Sequence, residues 1–135
     1  MNLYLKETIQ KNIIPFLKKS FYSGVKYKDL LHSCELSKGN CMDVSEELLP
    51  YLIKLGYKDL DLIVLEEPKF SFIEAHSEYK YYLVNEIFHE VVRVGEYYVD
   101  LTGSQFSPQQ GGVKIYTKKE LSKLWGRFTL DTIKR

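Results

Sequence analysis

Cys41, His89 and Asp100 are the residues whose types and surroundings could carry covalent chemistry. Cys41 follows Lys38-Gly39-Asn40, a turn signal, and opens a helical pattern from Cys41 to Leu55. A sulfur in the first turn of a helix faces unpaired backbone N–H groups and the positive end of the helix dipole. That setting favours the thiolate, which is the nucleophile. The backbone N–H of Cys41, with Asn40 beside it, can also bind the oxyanion formed when an amide carbonyl is attacked. Gly39 lets a substrate backbone approach closely.

His89 opens one predicted strand, Phe88 to Val94, and Asp100 closes on the end of the next, Tyr97 to Leu101. Val94-Gly95-Glu96-Tyr97 reads as the tight turn of a hairpin between them. With the turn centred between 94 and 95, positions 89 and 100 fall directly opposite each other, about 5 Å apart. A carboxylate there fixes the tautomer of an imidazole and stabilises its charged form. A single buried cysteine is ordinarily a small core hydrophobe, and a single histidine in a strand is ordinarily structural. The joint context is what points to a nucleophile, a base and an orienting carboxylate.

Helices and strands must be placed so that these residues meet. Leu5, Ile9, Ile13, Phe16 and Leu17 recur at helical spacing, predicting a helix over Leu3 to Leu17 that Pro15 ends or kinks. The stretch Phe21 to Ser37 is mixed, with a short helix around Tyr27 to Cys34. On the Cys41 helix, Val44, Leu48, Leu52 and Leu55 share one face, Pro50 kinks or splits the run, and Gly56 is the stop. Leu60 to Leu65 and Tyr79 to Asn85 read as strands ahead of the hairpin. Thr117 to Trp125 reads as a final helix with a Thr117–Glu120 capping box, and Phe128 to Leu130 as a last strand. Helices first and antiparallel strands after them make the class α+β: N-terminal helices, with the nucleophile-bearing helix packed on a small antiparallel sheet. No repeat or linker divides the chain, so residues 1–135 are expected to form a single domain.

Composition excludes several classes. The net charge of +1 gives no electrostatic reason to expect nucleic acid or an anionic membrane as partner. No apolar run approaches the roughly 18 residues of a membrane span, and the charged, interrupted N-terminus is not a secretory signal. Cys34 and Cys41 have no metal-binding spacing and are too few for a disulfide scaffold, so reduced thiols, no metal and no cofactor are expected. The other candidates read as supporting residues. His76 lies in a polar loop, and His32 and Cys34 sit on different faces of a helix. Gln105 is either a polar wall of the site or a tie for the loop after Asp100. Gln109 to Gly112 is a mobile loop, Trp125 is core or lid, Glu66-Glu67 ends a strand, and Tyr81, Tyr82, Tyr97 and Tyr98 pack the sheet.

Gly39-Asn40-Cys41 with its helix ending at Leu55-Gly56-Tyr57 resembles the nucleophile segment of transglutaminase-like and papain-like cysteine enzymes. His89-Glu90-Val91-Val92 through Tyr98-Val99-Asp100-Leu101-Thr102 resembles their histidine–strand–turn–strand–aspartate segment. The continuation Gly103-Ser104-Gln105-Phe106 is similar in particular to bacterial papain-fold toxin and effector domains. The resemblance covers about half the chain. It implies a papain-like or transglutaminase-like core and a Cys41–His89–Asp100 triad, with Asn40, Gly39 and Gln105 around the oxyanion and substrate. The implied activity is amide hydrolysis or acyl transfer on a protein substrate: glutamine deamidation first, proteolysis or transglutamination as alternatives. A cognate immunity or inhibitor protein is the further partner it implies, and the location is cytoplasmic or outside the producing cell by a route without a signal peptide. A catalytically idle binding or immunity-type module is the reading from another class. The sequence departs from the papain pattern upstream of Cys41, where Cys34-Glu35-Leu36 stands in the place of the protease oxyanion glutamine. Arylamine acetyltransferases share the residue order, but Ser37-Lys38-Gly39-Asn40 replaces their Arg-Gly-Gly stretch.

Overall fold

Asn2 starts the first helix by accepting a hydrogen bond from the Leu5 N–H at 3.0 Å on its side-chain oxygen. Helix α1 (Leu3–Leu17) buries Ile9, Ile13 and Phe16 on one stripe. Pro15 does not end it. The N–H that proline lacks would have served an exposed turn, and Phe16 beyond it is anchored in the core. The structure is a computed structural model, and it describes residues 2–69 and 87–131. The predicted strand Tyr79 to Asn85, with Tyr81 and Tyr82, and the His76 loop lie outside the described residues.

After α1 the chain makes a small hairpin, β1 (Ser20–Tyr22) and β2 (Val25–Lys26), then two single-turn helices, α2 (Tyr27–Leu30) and α3 (Cys34–Ser37). The one short helix expected around Tyr27 to Cys34 is thus two, because Ser33 caps a new start by accepting from the Leu36 N–H. Helix α4 (Cys41–Lys54) runs unbroken through Pro50, which faces solvent. Its apolar face, Val44, Leu48 and Leu52, is fully buried. Gly56 closes it at φ +102, with the Gly56 N–H on Ile53 O and the Tyr57 N–H on Leu52 O. These are the paired bonds of a Schellman cap, which favours glycine at this left-handed position.

The remaining strands are β3 (Leu60–Pro68), β4 (Phe88–Val94), β5 (Tyr97–Asp100), β6 (Lys114–Thr117) and β7 (Trp125–Leu130), with α5 (Lys118–Leu121) between the last two. They form one antiparallel sheet in the order β6-β5-β4-β3-β7. The class is mixed α+β with helices N-terminal to a small antiparallel sheet. One face of the sheet, through Leu62, Val92, Val94, Tyr97 and Val99, packs on α1 and α4. The other carries Ile63, Leu65, Val91 and Tyr98 under Phe106, Leu121 and Trp125. Alternation along each strand therefore serves two cores, so β4 is buried on both sides.

The C-terminal segment departs from the expected helix over Thr117 to Trp125. The capping box of Thr117 and Glu120 forms as expected, but α5 ends at Leu121. Trp125 instead pairs with Pro68 in β7 and is buried against the second core. Burial of the indole and a full strand ladder outweigh the local helical pattern. Strand β6 went unread because its four residues follow a glycine pair that looks like open loop. That loop is in fact tied down. Pro108–Gln110 forms a 3₁₀ turn, and the Gly112 N–H bonds Leu31 O at 2.6 Å.

Candidate functional site

Three pieces of local structure converge. The first is the β4–β5 hairpin. Gly95 takes φ +59 at the first loop position, as a two-residue hairpin loop of the right twist demands. Arg93 fixes the turn by donating to Gly95 O at 2.6 Å and to the carboxylates of Asp59 and Asp61 at 2.9 and 2.6 Å. The Tyr97 hydroxyl donates to Asn2 O, so the N-terminus of α1 clamps the same turn.

The hairpin register differs from the expected one. Val92 pairs with Val99 and Val94 with Tyr97, centring the turn on Gly95-Glu96. His89 and Asp100 are therefore diagonal neighbours rather than directly opposite. Moving a turn centre by one residue moves each partner by two, which keeps side chains on the same face. The diagonal is still within reach of two long polar side chains. His89 Nε2 and Asp100 Oδ2 lie 2.9 Å apart, with His89 wholly buried and Asp100 5% exposed.

Asp100 is a double acceptor. Oδ2 takes the His89 Nε2–H and Oδ1 takes the Thr102 N–H at 3.0 Å. Gly103 makes room for this. A side chain there would meet Gln110 O at 2.4 Å and Asp100 Oδ2 at 3.2 Å. Trp125 stacks near the imidazole at 5.8 Å and Phe106 meets it edge-on at 5.1 Å. Burial alone would pull the His89 pKa down. The charge and hydrogen bond of Asp100, with smaller contributions from Cys41, outweigh it and push the imidazole up to about 10.

The second piece is the nucleophile turn. Gly39 has φ +75 and open space where a side chain would project. Asn40 occupies the cap position of α4 but does not cap it, since its amide donates to Leu36 O at 2.7 Å. The first N–H groups of α4 are therefore left without a side-chain cap, and Cys41, a free thiol, is the first residue of the helix. Cys41 is 6% exposed. Its sulfur acts on His89, yet Nδ1 makes no hydrogen bond of normal geometry. The sulfur–imidazole contact is therefore looser than the Asp100 contact. Catalytic hydrogen bonds of this kind are often long before substrate arrives.

The third piece joins the other two. Gln105 is buried, its amide oxygen accepts from the Gly39 N–H at 3.3 Å, and its amide nitrogen donates to Thr102 O at 3.0 Å. It ties the loop after Asp100 to the turn before Cys41, so it positions both halves instead of presenting a free polar wall. The Cys34 sulfur lies 3.5 Å from Gln105 O.

Phe106 and Trp125 enclose the imidazole; Trp125 was expected only as core or lid, and Phe106 only as part of the stretch after Asp100. Glu90 was also missed. It is 1% exposed, follows His89 directly, and its pKa is pushed up to about 9, first by burial and then by the carboxyl of Asp131, with Cys41 and Glu46 adding to it. Among the described residues, no group of three or more His, Cys, Asp or Glu side chains is placed to hold a metal, and no helix is long and apolar enough to cross a membrane. No protein-family model, curated protein sequence or solved structure matches the chain.

Proposed function

We propose that this protein is a cysteine-dependent amide hydrolase or acyl-transferase with a papain-like or transglutaminase-like core, acting as a bacterial toxin or effector that deamidates protein glutamine. The observation that carries the proposal is the state of His89. Asp100 holds it through Nε2, its other nitrogen has no partner of normal geometry, and Cys41 acts on the same ring. That is the order of contacts a nucleophile, base and orienting carboxylate require.

The chemistry follows from the geometry. With the imidazole pushed up to about 10, the Cys41 proton resides on His89 Nδ1, and the thiolate of this pair attacks the carboxamide carbon. The uncapped N–H groups of α4 receive the oxyanion. The tetrahedral adduct collapses, the C–N bond breaks, and His89 returns the proton to the departing ammonia. Water, deprotonated by His89, then attacks the thioacyl carbon and releases a carboxylic acid and the Cys41 thiol. An amine in place of water would give transglutamination, and a peptide bond in place of the carboxamide would give proteolysis. The partners on this reading are a protein substrate and a cognate immunity or inhibitor protein.

The buried sulfur and the unpartnered Nδ1 also favour a second reading, an idle binding module of the same fold. Incubation with candidate proteins, read by mass spectrometry, separates the two. Deamidation adds about one dalton per converted glutamine, cleavage gives fragments, and Cys41→Ala abolishes either. Full activity in Cys41→Ala would rule the proposal out.

A further inference from the structure

Glu90 is a buried acid that the triad does not use. Ser45 lies one turn below Cys41 on α4, and its hydroxyl donates to Glu90 O at 3.0 Å, so Glu90 sits against the helix turn that presents the sulfur. Neither carboxyl oxygen of Glu90 meets an N–H or a cation among the described residues. Among the described residues, the groups that act on it are acids and the thiol. Asp131 comes from the residue after β7, and Cys41 and Glu46 come from α4. Across the β3 ladder stands apolar Val64, and His89 precedes it on its own strand. Asp131 is itself buried and is anchored by its N–H on Leu62 O. Burial is the largest influence on this carboxyl and the acidic groups among the described residues add to it, so it stays protonated where an ordinary glutamate is ionised.

We propose that Glu90 is a positioning residue for Cys41: by holding a proton against Asp131 it keeps a second negative charge away from the sulfur and from the oxyanion that forms there. The inference rests on Cys41 being the nucleophile. Coupling between two groups is reciprocal. A charge on Cys41 opposes ionisation of Glu90, and a charge on Glu90 opposes the thiolate and the oxyanion equally. The direction of the effect is therefore fixed. Loss of the Glu90 proton must slow acylation of Cys41, and a residue with a purely structural role would not give that pH signature.

The test uses 4-nitrophenyl acetate as a carbonyl probe, following the acylation burst of the whole chain from pH 6 to 10.5. In the wild type the burst rate falls by roughly tenfold with a midpoint near pH 9, where Glu90 ionises. In Glu90→Gln that fall is absent, and the rate declines only as His89 loses its proton near 10. Asp131→Asn removes a like charge from Glu90, so the fall moves below pH 9. A fall at the same pH in the wild type and both variants would overturn the inference. If Glu90→Gln does not fold, the direction of the shift in Asp131→Asn decides alone, and no shift overturns it. A burst that survives in Cys41→Ala would instead sink the nucleophile reading.

Discussion

Replacing Asp100 with asparagine tests the geometry of the site most severely for the smallest change in shape. Both Asp100 oxygens accept from N–H donors, Oδ2 from His89 Nε2 and Oδ1 from the Thr102 N–H. An asparagine has one oxygen, so in either orientation its NH₂ faces one of those donors. If it faces His89, the imidazole must change tautomer, and Nδ1 then carries a hydrogen and can no longer take a proton from Cys41. The imidazole also loses the charge that holds its pKa near 10 against burial. Its titration should drop below the ordinary 6.5, since burial is then the largest influence left.

A folded pKa raised above the unfolded value stabilises the fold fully below pH 6.5 and loses that contribution as pH climbs through about 10. Asp100→Asn should therefore cost about 3–5 kcal/mol at pH 6, a large part of the stability of a small domain, and much less at pH 10. Activity should fall roughly 100- to 10,000-fold. NMR titration of the His89 ring and urea unfolding at the two pH values check this. An imidazole that titrates at the same pH in both proteins, or equal destabilisation at pH 6 and 10, would refute the reasoning.

Three further outcomes follow. Gln105→Ala unties the Gly39 turn from Thr102, so activity should drop more than tenfold, while urea unfolding shows a loss of only about 1–3 kcal/mol for one buried and one partly buried hydrogen bond. Gly103→Ala forces a methyl against Gln110 O at 2.4 Å, and thermal unfolding should show about 1–3 kcal/mol of destabilisation with reduced activity. Glu90 has a folded pKa of about 9, well above its unfolded value, so its contribution is full at acid pH and declines as pH rises towards 9. Glu90→Gln should remove that decline and gain on the wild type by at most about 1.4 kcal/mol per pH unit, measured by denaturant midpoints at pH 5 and 8.5.

The parts of the fold legible in the sequence are those set by local chemistry. The stripe of Ile9, Ile13 and Phe16, the Gly56 cap and the Gly95 turn each follow from periodicity or from a backbone position that favours glycine. Trp125 was assigned to a helix because its neighbours look helical, and only the ladder with Pro68 and the packing against Phe106 reveal a strand. The His89–Asp100 pair survived a wrong register because strand parity, not exact pairing, decides which face a side chain takes. Gln105, Phe106 and Glu90 owe their roles to partners distant in sequence, on the Gly39 turn, the imidazole and Asp131. Nothing local in their neighbourhoods encodes those contacts.

Competitive thiol labelling tests the central claim most directly. Cys41 is buried and Cys34 is half-exposed, so accessibility alone makes Cys34 the faster site. With iodoacetamide at pH 6 and peptide mass spectrometry, an activated nucleophile predicts the reverse: Cys41 is modified first, and His89→Asn abolishes its lead. Cys34 labelling first, or equal slow labelling of both thiols unaffected by His89→Asn, would contradict the account.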